Sequence, residues 1–244
     1  MPLYRNLLAD TVFVFDSNLA GQHADDSAAF AVQYCSAELG VAEGPTGKSY
    51  AVPTKDEHRV HLPLTDVQWY IEQLLAYART QRDLRFQVGR LGCNSGGLLD
   101  IQMAPLFKKT SDNLFVPGRW MALTNQLDRI RLFVDGDSTT KAERIEKTLT
   151  ECTSPWSENV EVVTTGTGSV NDIVRAWARR KGLPWTPFLP DNARYNSEAA
   201  RILDEQIAWY CTHAIGYHAQ NDPALSRRMV HLQKEGLRVR EFRE

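Results

Sequence analysis

The sequence predicts an α/β fold, in which short apolar strands alternate with helices along the chain. Segments rich in β-branched and aromatic residues, such as Val12–Phe15 and Ile130–Val134, end abruptly in small or polar residues. Each run is followed by a segment whose apolar residues recur at helical spacing. No internal repeat interrupts this alternation, which is typical of sheets covered by helices.

The first half begins with strand 12–15, a loop of small and polar residues, and a helix running toward Gly40. A short strand is predicted at 49–53. A helix follows, with a capping box at Thr65–Gln68 and apolar residues repeating over 67–78. Strands at 84–88 and 113–117 complete this half. Because the pattern lapses over 118–128, we predict two domains, 1–126 and 127–244.

The second half repeats the alternation. A strand at 130–134 precedes a helix capped by Thr140, and a strand at 160–163 precedes a helix that ends at Gly182. The remaining segments predict a helix over 195–207, a strand over 208–213, a helix starting at Asp222-Pro223, and an edge strand at 237–239. This order favours a Rossmann-like, doubly wound domain.

Composition excludes several classes of function. The net charge is −2 and no block of Lys or Arg occurs, so a nucleic-acid surface is not expected. The four cysteines lie far apart without metal-ligand spacing, which favours free thiols and no metal site. No signal peptide is visible, and no apolar run reaches the roughly 20 residues of a membrane span. We expect a cytoplasmic protein without a membrane partner. The sequence does not decide between a monomer and a homo-oligomer.

Two loops of the first half are candidate ligand sites. They follow Phe15 and Val88, and parallel strands of open α/β sheets bind ligands beyond their carboxyl ends. Gly92, Gly96 and Gly97 would allow the backbone to approach a diphosphate closely. The alternative is that these glycines only form turns.

Residues 12–117 resemble a macrodomain-like family common in bacteria and phages. The resemblance rests on three motifs in the family's order: Phe13-Val14-Phe15-x-Ser17-Asn18-Leu19-Ala20-Gly21-x-His23, Ser49-Tyr50-Ala51-Val52-Pro53-Thr54-Lys55-Asp56 and Arg90-Leu91-Gly92-Cys93. Macrodomains bind ADP-ribose and its derivatives, and some remove ADP-ribose from proteins or nucleic acids. The resemblance implies a three-layer α/β domain in which Asn18 contacts ribose and the loop after Val88 wraps the diphosphate. The full implied binding set is Ser17, Asn18, Leu19, Gly21, His23, Asp26, Thr54, Gly92, Cys93, Asn94, Ser95, Gly96 and Gly97.

The chain departs from the family's pattern at several positions. Asp16 stands where the family usually has Gly, and Asn94-Ser95 stands where a Gly is common. Asp25 and Asp26 suit a helix N-terminus but would repel a ligand phosphate. Either this loop faces the adenosine and ribose hydroxyls, or binding there is degraded.

Lys55 and Asp100 are candidate catalytic residues. One glycohydrolase branch of the macrodomains uses a Lys after the middle strand and an Asp in the diphosphate-side loop. Lys55 matches that context, whereas Asp100 is displaced from it by a few residues. A desolvated lysine could attack the ribose C1 while the carboxylate shuttles protons. The alternative is a surface lysine and a helix N-cap aspartate. His23 has a similar alternative, a solvent-facing loop histidine.

Residues 129–242 resemble the SLOG superfamily, Rossmann-like nucleotide-binding domains related to the LOG phosphoribohydrolases. The resemblance rests on the loop Thr165–Asp172, on Trp177-Ala178-Arg179 and on Asn196. The PGGxGT signature of catalytic members is absent, so nucleotide binding or a purely structural role is expected. The implied ligand-binding residues are Asp135, Gly136, Gly166, Thr167, Gly168, Ser169, Asp172 and Asn196.

Both resemblances point to nucleotides derived from NAD. We therefore expect a protein that binds ADP-ribose, cyclic ADP-ribose or a related signalling nucleotide, with no further cofactor. Such domains occur in bacterial defence systems and in phage counter-defence, where binding would sequester a signal. An ADP-ribosyl hydrolase is one alternative, and an interaction module with vestigial pockets is another.

Overall fold

The computed structural model describes residues 6–24, 26–93, 97–137, 139–218 and 222–243, with the backbone alone at residue 26. The chain divides into two compact units between Gln126 and Leu127, and Asn6 groups with the second unit. Among the described residues, each unit contains one five-stranded, mostly parallel sheet flanked by helices. The predicted α/β class is confirmed. In this part of the chain, no helix has the length and apolar character needed to cross a membrane.

The elements of the N-terminal unit follow the predicted alternation. Its strands and helices are β1 (Thr11–Asn18), α1 (Asp26–Cys35), β2 (Gly44–Thr46), β3 (Ser49–Lys55), α2 (Leu64–Thr80), β4 (Arg85–Val88), α3 (Asp100–Met103), β5 (Leu114–Phe115) and α4 (Gly118–Leu123).

The N-terminal sheet has the strand order β2-β3-β1-β4-β5, with β2 antiparallel and the other strands parallel. Alternate residues of β1 face opposite sides of the sheet. Val14 packs in the core formed with α2, α3 and α4. On the other side, Phe13 meets Phe30 of α1 at a ring-centroid distance of 5.1 Å. The sheet is therefore the middle of three layers.

Several local predictions for this unit were wrong. Residues 44–46, for which no strand was predicted, form β2 and pair antiparallel with β3, and Gly47, at φ +55°, lies in the turn between the two strands. The capping box at Thr65 does not form, because α2 begins at Leu64 and the Thr65 hydroxyl bonds Asp66. The segment after Pro117, where no pattern was recognised, contains α4.

The C-terminal unit contains β6 (Ile130–Gly136), α5 (Ala142–Thr153), β7 (Val160–Thr164), α6 (Ser169–Arg180), β8 (Trp185–Pro187), α7 (Asn192–Tyr195), α8 (Ala199–Tyr210), β9 (His213–His218), α9 (Pro223–Lys234) and β10 (Arg238–Arg243). All pairings are parallel, in the order β10-β9-β6-β7-β8. Read from β8, this is the 3-2-1-4-5 order of a Rossmann-like sheet. Helices α5 and α6 cover one face, and α9 packs on β9 at the other.

Helix caps and one strand depart from the prediction in this unit. The Thr140 capping box does not form, because α5 begins at Ala142 without a side-chain cap. The predicted Asp222 cap is confirmed, since its carboxylate accepts hydrogen bonds from the backbone of Ala224 and Leu225. The strand predicted over 208–213 is wrong, because α8 continues to Tyr210.

Candidate functional site

The candidate site lies where β1 and β4, two neighbouring parallel strands of the N-terminal sheet, reach their carboxyl ends. Val14 of β1 pairs with Val88 of β4. The chain leaves β1 toward α1 on one face, whereas α3, which follows β4, packs on the other. Such a separation of the covering segments creates a crevice at the edge of an open α/β sheet, and ligands bind there. The two predicted loops both start at this crevice.

Asn18, the last residue of β1, organises the first loop. Its side-chain oxygen accepts hydrogen bonds from the backbone N–H groups of Ala20 and Gln22, both at 3.1 Å. Its amide donates to the Gln22 carbonyl at 2.9 Å, and the residue is buried. The side chain therefore shapes the loop through its oxygen and one N–H, and a ribose contact through the oxygen would have to replace one of these bonds.

Gly21 and His23 are also required by the packing of this loop. Gly21 has φ +64°, and a Cβ there would lie 2.5 Å from the Gly40 carbonyl carbon. His23 is buried and meets Phe15 edge to face at 5.0 Å. Burial lowers the pKa of His23, so the imidazole is neutral near pH 7. The solvent-facing alternative for His23 is wrong.

Asp16 is held by the first turn of α1. The Asp16 carboxylate accepts a hydrogen bond from the Ser27 hydroxyl. The backbone N–H of Asp16 donates a hydrogen bond to the hydroxyl oxygen of Ser27 at 3.3 Å. Ser17 is buried and donates to the Ala42 carbonyl. Leu19 is exposed, but its N–H donates to the Lys55 carbonyl at 3.0 Å and so joins the ends of β1 and β3. The polar groups around β1 thus fix the crevice wall.

Lys55 ends β3 and lines a small cleft of about 20 Å³. Asp16, Asn18, Gln22 and Arg59 line the same cleft. Lys55 is half-buried, and Arg59 lies on the exposed turn that follows. Two cations and one carboxylate therefore border the cleft. The net positive charge of this lining suits an anionic ligand.

Asp100 is the centre of a buried ion pair network. Arg90 donates to both carboxylate oxygens, at 2.9 and 2.8 Å. The Arg119 Nε donates at 2.6 Å and the Trp120 indole N–H at 2.7 Å. Burial alone would raise the pKa of Asp100, but the hydrogen bonds from Arg90 and Trp120 outweigh it and hold the pKa at about 2. The carboxylate is therefore permanently ionised near neutral pH and poorly suited to carry a proton.

Cys93 lies in the second loop as a neutral thiol. Burial and the nearby charge of Asp100 raise the pKa of Cys93 to about 12, so the thiol is not a nucleophile near neutral pH. The expected binding residues Asn94, Ser95 and Gly96 lie outside the described residues, as does the side chain of Asp26.

The flanks of this second loop are tightly packed. Gly92 has φ +69°, and its carbonyl accepts a hydrogen bond from the Leu98 N–H at 3.0 Å. A Cβ at Gly97 would lie 2.1 Å from the His61 ring, so any side chain there would require that ring to move. Thr54 is fully buried nearby, and its hydroxyl has no hydrogen-bond partner among the described residues.

The corresponding crevice of the C-terminal unit is crossed by ion pairs. Asp135, near the end of β6, accepts a hydrogen bond from Arg228, which also donates to Asp204 at 2.6 Å. Burial raises the pKa of Asp204 against the opposing charge of Arg228. Gly136 has no space for a side chain, since a Cβ would lie 2.9 Å from the Tyr217 Cβ.

The glycine-rich loop of the C-terminal unit follows β7, one strand away from that crevice. Gly166 has φ +77° and packs on Leu189, whereas Gly168, at φ +89°, precedes α6 with open space beside it. Asp172 in the first turn of α6 pairs with Arg175 at 3.0 Å. Thr167, Ser169 and Asn196 are exposed.

The structure thus gathers the expected residues into separate groups. Lys55, Asn18 and Ser17 border one cleft, whereas Asp100 lies in its own arginine network. No hydrogen bond or ion pair joins Lys55 to Asp100 within the part of the chain that the structure describes. No group of metal-ligating side chains occurs among these residues either.

Sequence reasoning missed Arg59, Arg119 and Trp120. Arg119 and Trp120 lie in α4, where no pattern was recognised, and no local signal links them to Asp100. Arg59 follows the recognised Thr-Lys-Asp segment closely, so a search for cations beyond Lys55 could have found it. No protein-family model matches this chain, and no curated protein matches it.

Proposed function

We propose that the N-terminal unit binds an ADP-ribose-type or other NAD-derived nucleotide at the carboxyl edge of its sheet, across the cleft at the ends of β1 and β3 and the neighbouring crevice between β1 and β4. The observation that carries this proposal is the placement of Lys55 and Arg59 at the carboxyl edge of a parallel sheet, beside the point where its covering segments separate. The resemblance of the surrounding motifs to macrodomains names the ligand class. Binding without turnover would suit sequestration of a signalling nucleotide.

The state of Asp100 favours binding over hydrolysis. A lysine–aspartate mechanism needs a carboxylate that exchanges protons near neutral pH. Four hydrogen bonds from three side chains hold Asp100 as an anion with a pKa of about 2. We therefore propose that Asp100 positions Arg90 and Arg119, and that its carboxylate takes no part in proton transfer.

The size of the cleft predicts that its exposed side chains move on binding. The cleft measures about 20 Å³, whereas pockets for ligands of this size hold about 300 Å³ or more. Gln22 and Arg59 are exposed residues on its rim and can swing outward without leaving a buried charge. Arg59 would then remain within reach of a ligand phosphate.

Calorimetry with ADP-ribose, cyclic ADP-ribose and NAD tests the proposal. We expect saturable heat with at least one of them, and recovery of the unchanged ligand by mass spectrometry. Lys55→Ala should weaken binding about tenfold, because a charge-assisted hydrogen bond to phosphate contributes about 1.5 kcal/mol or more.

Lys48→Ala is the matched control, because Lys48 precedes β3 at the opposite end from Lys55 and is also a lysine at a strand terminus. Its affinity should equal that of the parent protein. Absence of heat with all three nucleotides would contradict the proposal and favour an interaction module. If the parent protein releases a hydrolysed product and the Lys55→Ala variant does not, the result would favour the hydrolase instead.

A further inference from the structure

A second and larger cleft of the N-terminal unit lies beside α2, at the start of β3. Its volume is about 470 Å³, within the range of small-molecule pockets. Tyr50 and Ala51 of β3 form one side, and the exposed flank of α2 from Trp69 to Thr80 forms the other. Lys55 lies at the far end of β3, so this cleft shares no residue with the proposed nucleotide site.

Aromatic side chains dominate the lining of this cleft. Trp69 and Tyr70 form one edge-to-face pair with ring centroids 4.9 Å apart. Tyr50 and Tyr77 form a tilted pair at 5.4 Å. Trp69 is 50% exposed, although a side chain of its size is normally far more buried. Four aromatic side chains therefore border the same space, and one of them, Trp69, is half-exposed.

The charge of the lining is negative. Glu43 is the one charged residue among the described residues that line the cleft, and no lysine or arginine accompanies it there. The charge of its carboxylate contributes to the pKa values of two tyrosines in the lining. Burial first, and then the charge of Glu43, raise the pKa of Tyr50 to about 12 and raise the pKa of Tyr70. Asp66 adds a second negative charge near Tyr70.

We propose that this cleft binds a weakly hydrated organic cation, of the quaternary or methylated ammonium type. Aromatic rings attract such cations through their quadrupoles, and Trp is the most effective of the three aromatic residues. Glu43 supplies the counter-charge without a competing cation in the lining. Since the cleft is larger than a trimethylammonium group, it has room for part of the molecule that carries the cation.

An anionic or neutral occupant fits the same lining less well. A phosphate would be repelled by Glu43 and Asp66. A neutral base could stack on Trp69 or Tyr70 but would gain nothing from the carboxylate. The contrast between a cation and a neutral molecule of equal shape therefore tests the assignment directly.

The experiment compares choline with 3,3-dimethylbutan-1-ol, in which carbon replaces the charged nitrogen. Binding is followed through the indole N–H signals in proton–nitrogen correlation spectra of the full chain, and Trp69→Phe identifies the Trp69 signal. We expect choline at millimolar concentration to shift the Trp69 signal saturably, and to bind about tenfold more tightly than the alcohol.

Glu43→Gln should reduce this difference between choline and the alcohol, because it removes the counter-charge and leaves the rings in place, whereas Glu72→Gln should leave the difference intact. Glu72 is an exposed carboxylate on α2 that does not line the cleft. Equal affinity for choline and the alcohol would overturn the proposal. So would an unshifted Trp69 signal, or tighter binding of adenosine than of choline. All these outcomes are independent of ADP-ribose binding near Lys55.

Discussion

The two units have the same kind of crevice at the carboxyl edge of the sheet, and they fill it differently. In the N-terminal unit, Lys55 and Arg59 line a cleft at the ends of β1 and β3, beside the crevice between β1 and β4. In the C-terminal unit, Arg228 crosses from α9 to Asp135 at the end of β6 and also binds Asp204 of α8. The first arrangement places cationic groups beside a cleft, and in the second the cation binds two carboxylates of its own chain.

This difference shows that strand order creates a crevice but side chains decide its use. The Rossmann-like order of the C-terminal sheet predicts a ligand between β6 and β9. The glycine-rich loop that resembles a phosphate loop instead follows β7. In the C-terminal unit, the crevice between β6 and β9 and the glycine-rich loop after β7 therefore lie at different places along the sheet. The N-terminal unit is the better candidate for a nucleotide.

The largest effect should come from Arg228→Met. The substitution leaves Asp135 and Asp204 facing each other, both mostly buried and without their shared cation. We expect a loss of about 4 kcal/mol in the unfolding free energy of the C-terminal unit, measured by urea denaturation. Arg227→Met is the control, since the neighbouring Arg227 is exposed. Equal stability of the two variants would show that Arg228 is no more than a surface cation, and the contrast between the units would fail.

A somewhat smaller effect should follow from Asp100→Asn in the N-terminal unit. Arg90 and Arg119 would lose their shared carboxylate, but Arg119 is partly exposed and can regain water. We expect a loss of about 3 kcal/mol, again measured by urea denaturation. Asp128→Asn, at an exposed carboxylate, should have no measurable effect. A parent-like stability for Asp100→Asn would refute the structural role assigned to this carboxylate.

The smallest effect is a difference in acid sensitivity between the units. Burial, and then the charge of Arg238, lower the pKa of His213 to about 4, so the folded C-terminal unit resists protonation. It should lose about 2 kcal/mol as the pH falls from about 6.5 to about 4. Asp100, whose pKa is held at about 2, stabilises the N-terminal unit above pH of about 4, and this stability is lost below it.

Hydrogen exchange followed by mass spectrometry on the full chain would resolve the two units. Protection of the C-terminal strands should decline in the first pH window and protection of the N-terminal strands in the second. His213→Gln should abolish the first decline. A simultaneous decline in both units would contradict the assignment of the two windows to His213 and Asp100.

The sequence predicted the alternation of strands and helices better than it predicted their ends. Strands such as β1 and β6 have three consecutive buried apolar residues, Phe13–Phe15 and Leu132–Val134, because both faces of each sheet are covered. The end of α8 was mistaken for a strand, because Gln206–Tyr210 are buried all round and lose helical periodicity. The caps at Thr65 and Thr140 failed because their helices start one or two residues from the predicted positions.

The candidate site was predicted at the level of loops and not of side-chain partners. The end of β1 and the loop after β4 were recognisable from glycine and from strand ends. Whether Asn18 is available to a ligand depends on backbone N–H groups of its own loop, which no spacing reveals. The Asp100 carboxylate accepts hydrogen bonds from Arg119 and Trp120. Both donors lie in α4, a helix that was not predicted from the sequence.

The pairing of β6 with β9 has a consequence for synthesis of the chain on the ribosome. Leu132 pairs with His213, and the helices and strands from α5 to α8 come between them. Until β9 emerges, one side of the central strand β6 offers unpaired backbone groups to other nascent chains. We expect a chaperone to protect this side of β6 until β9 has emerged from the ribosome.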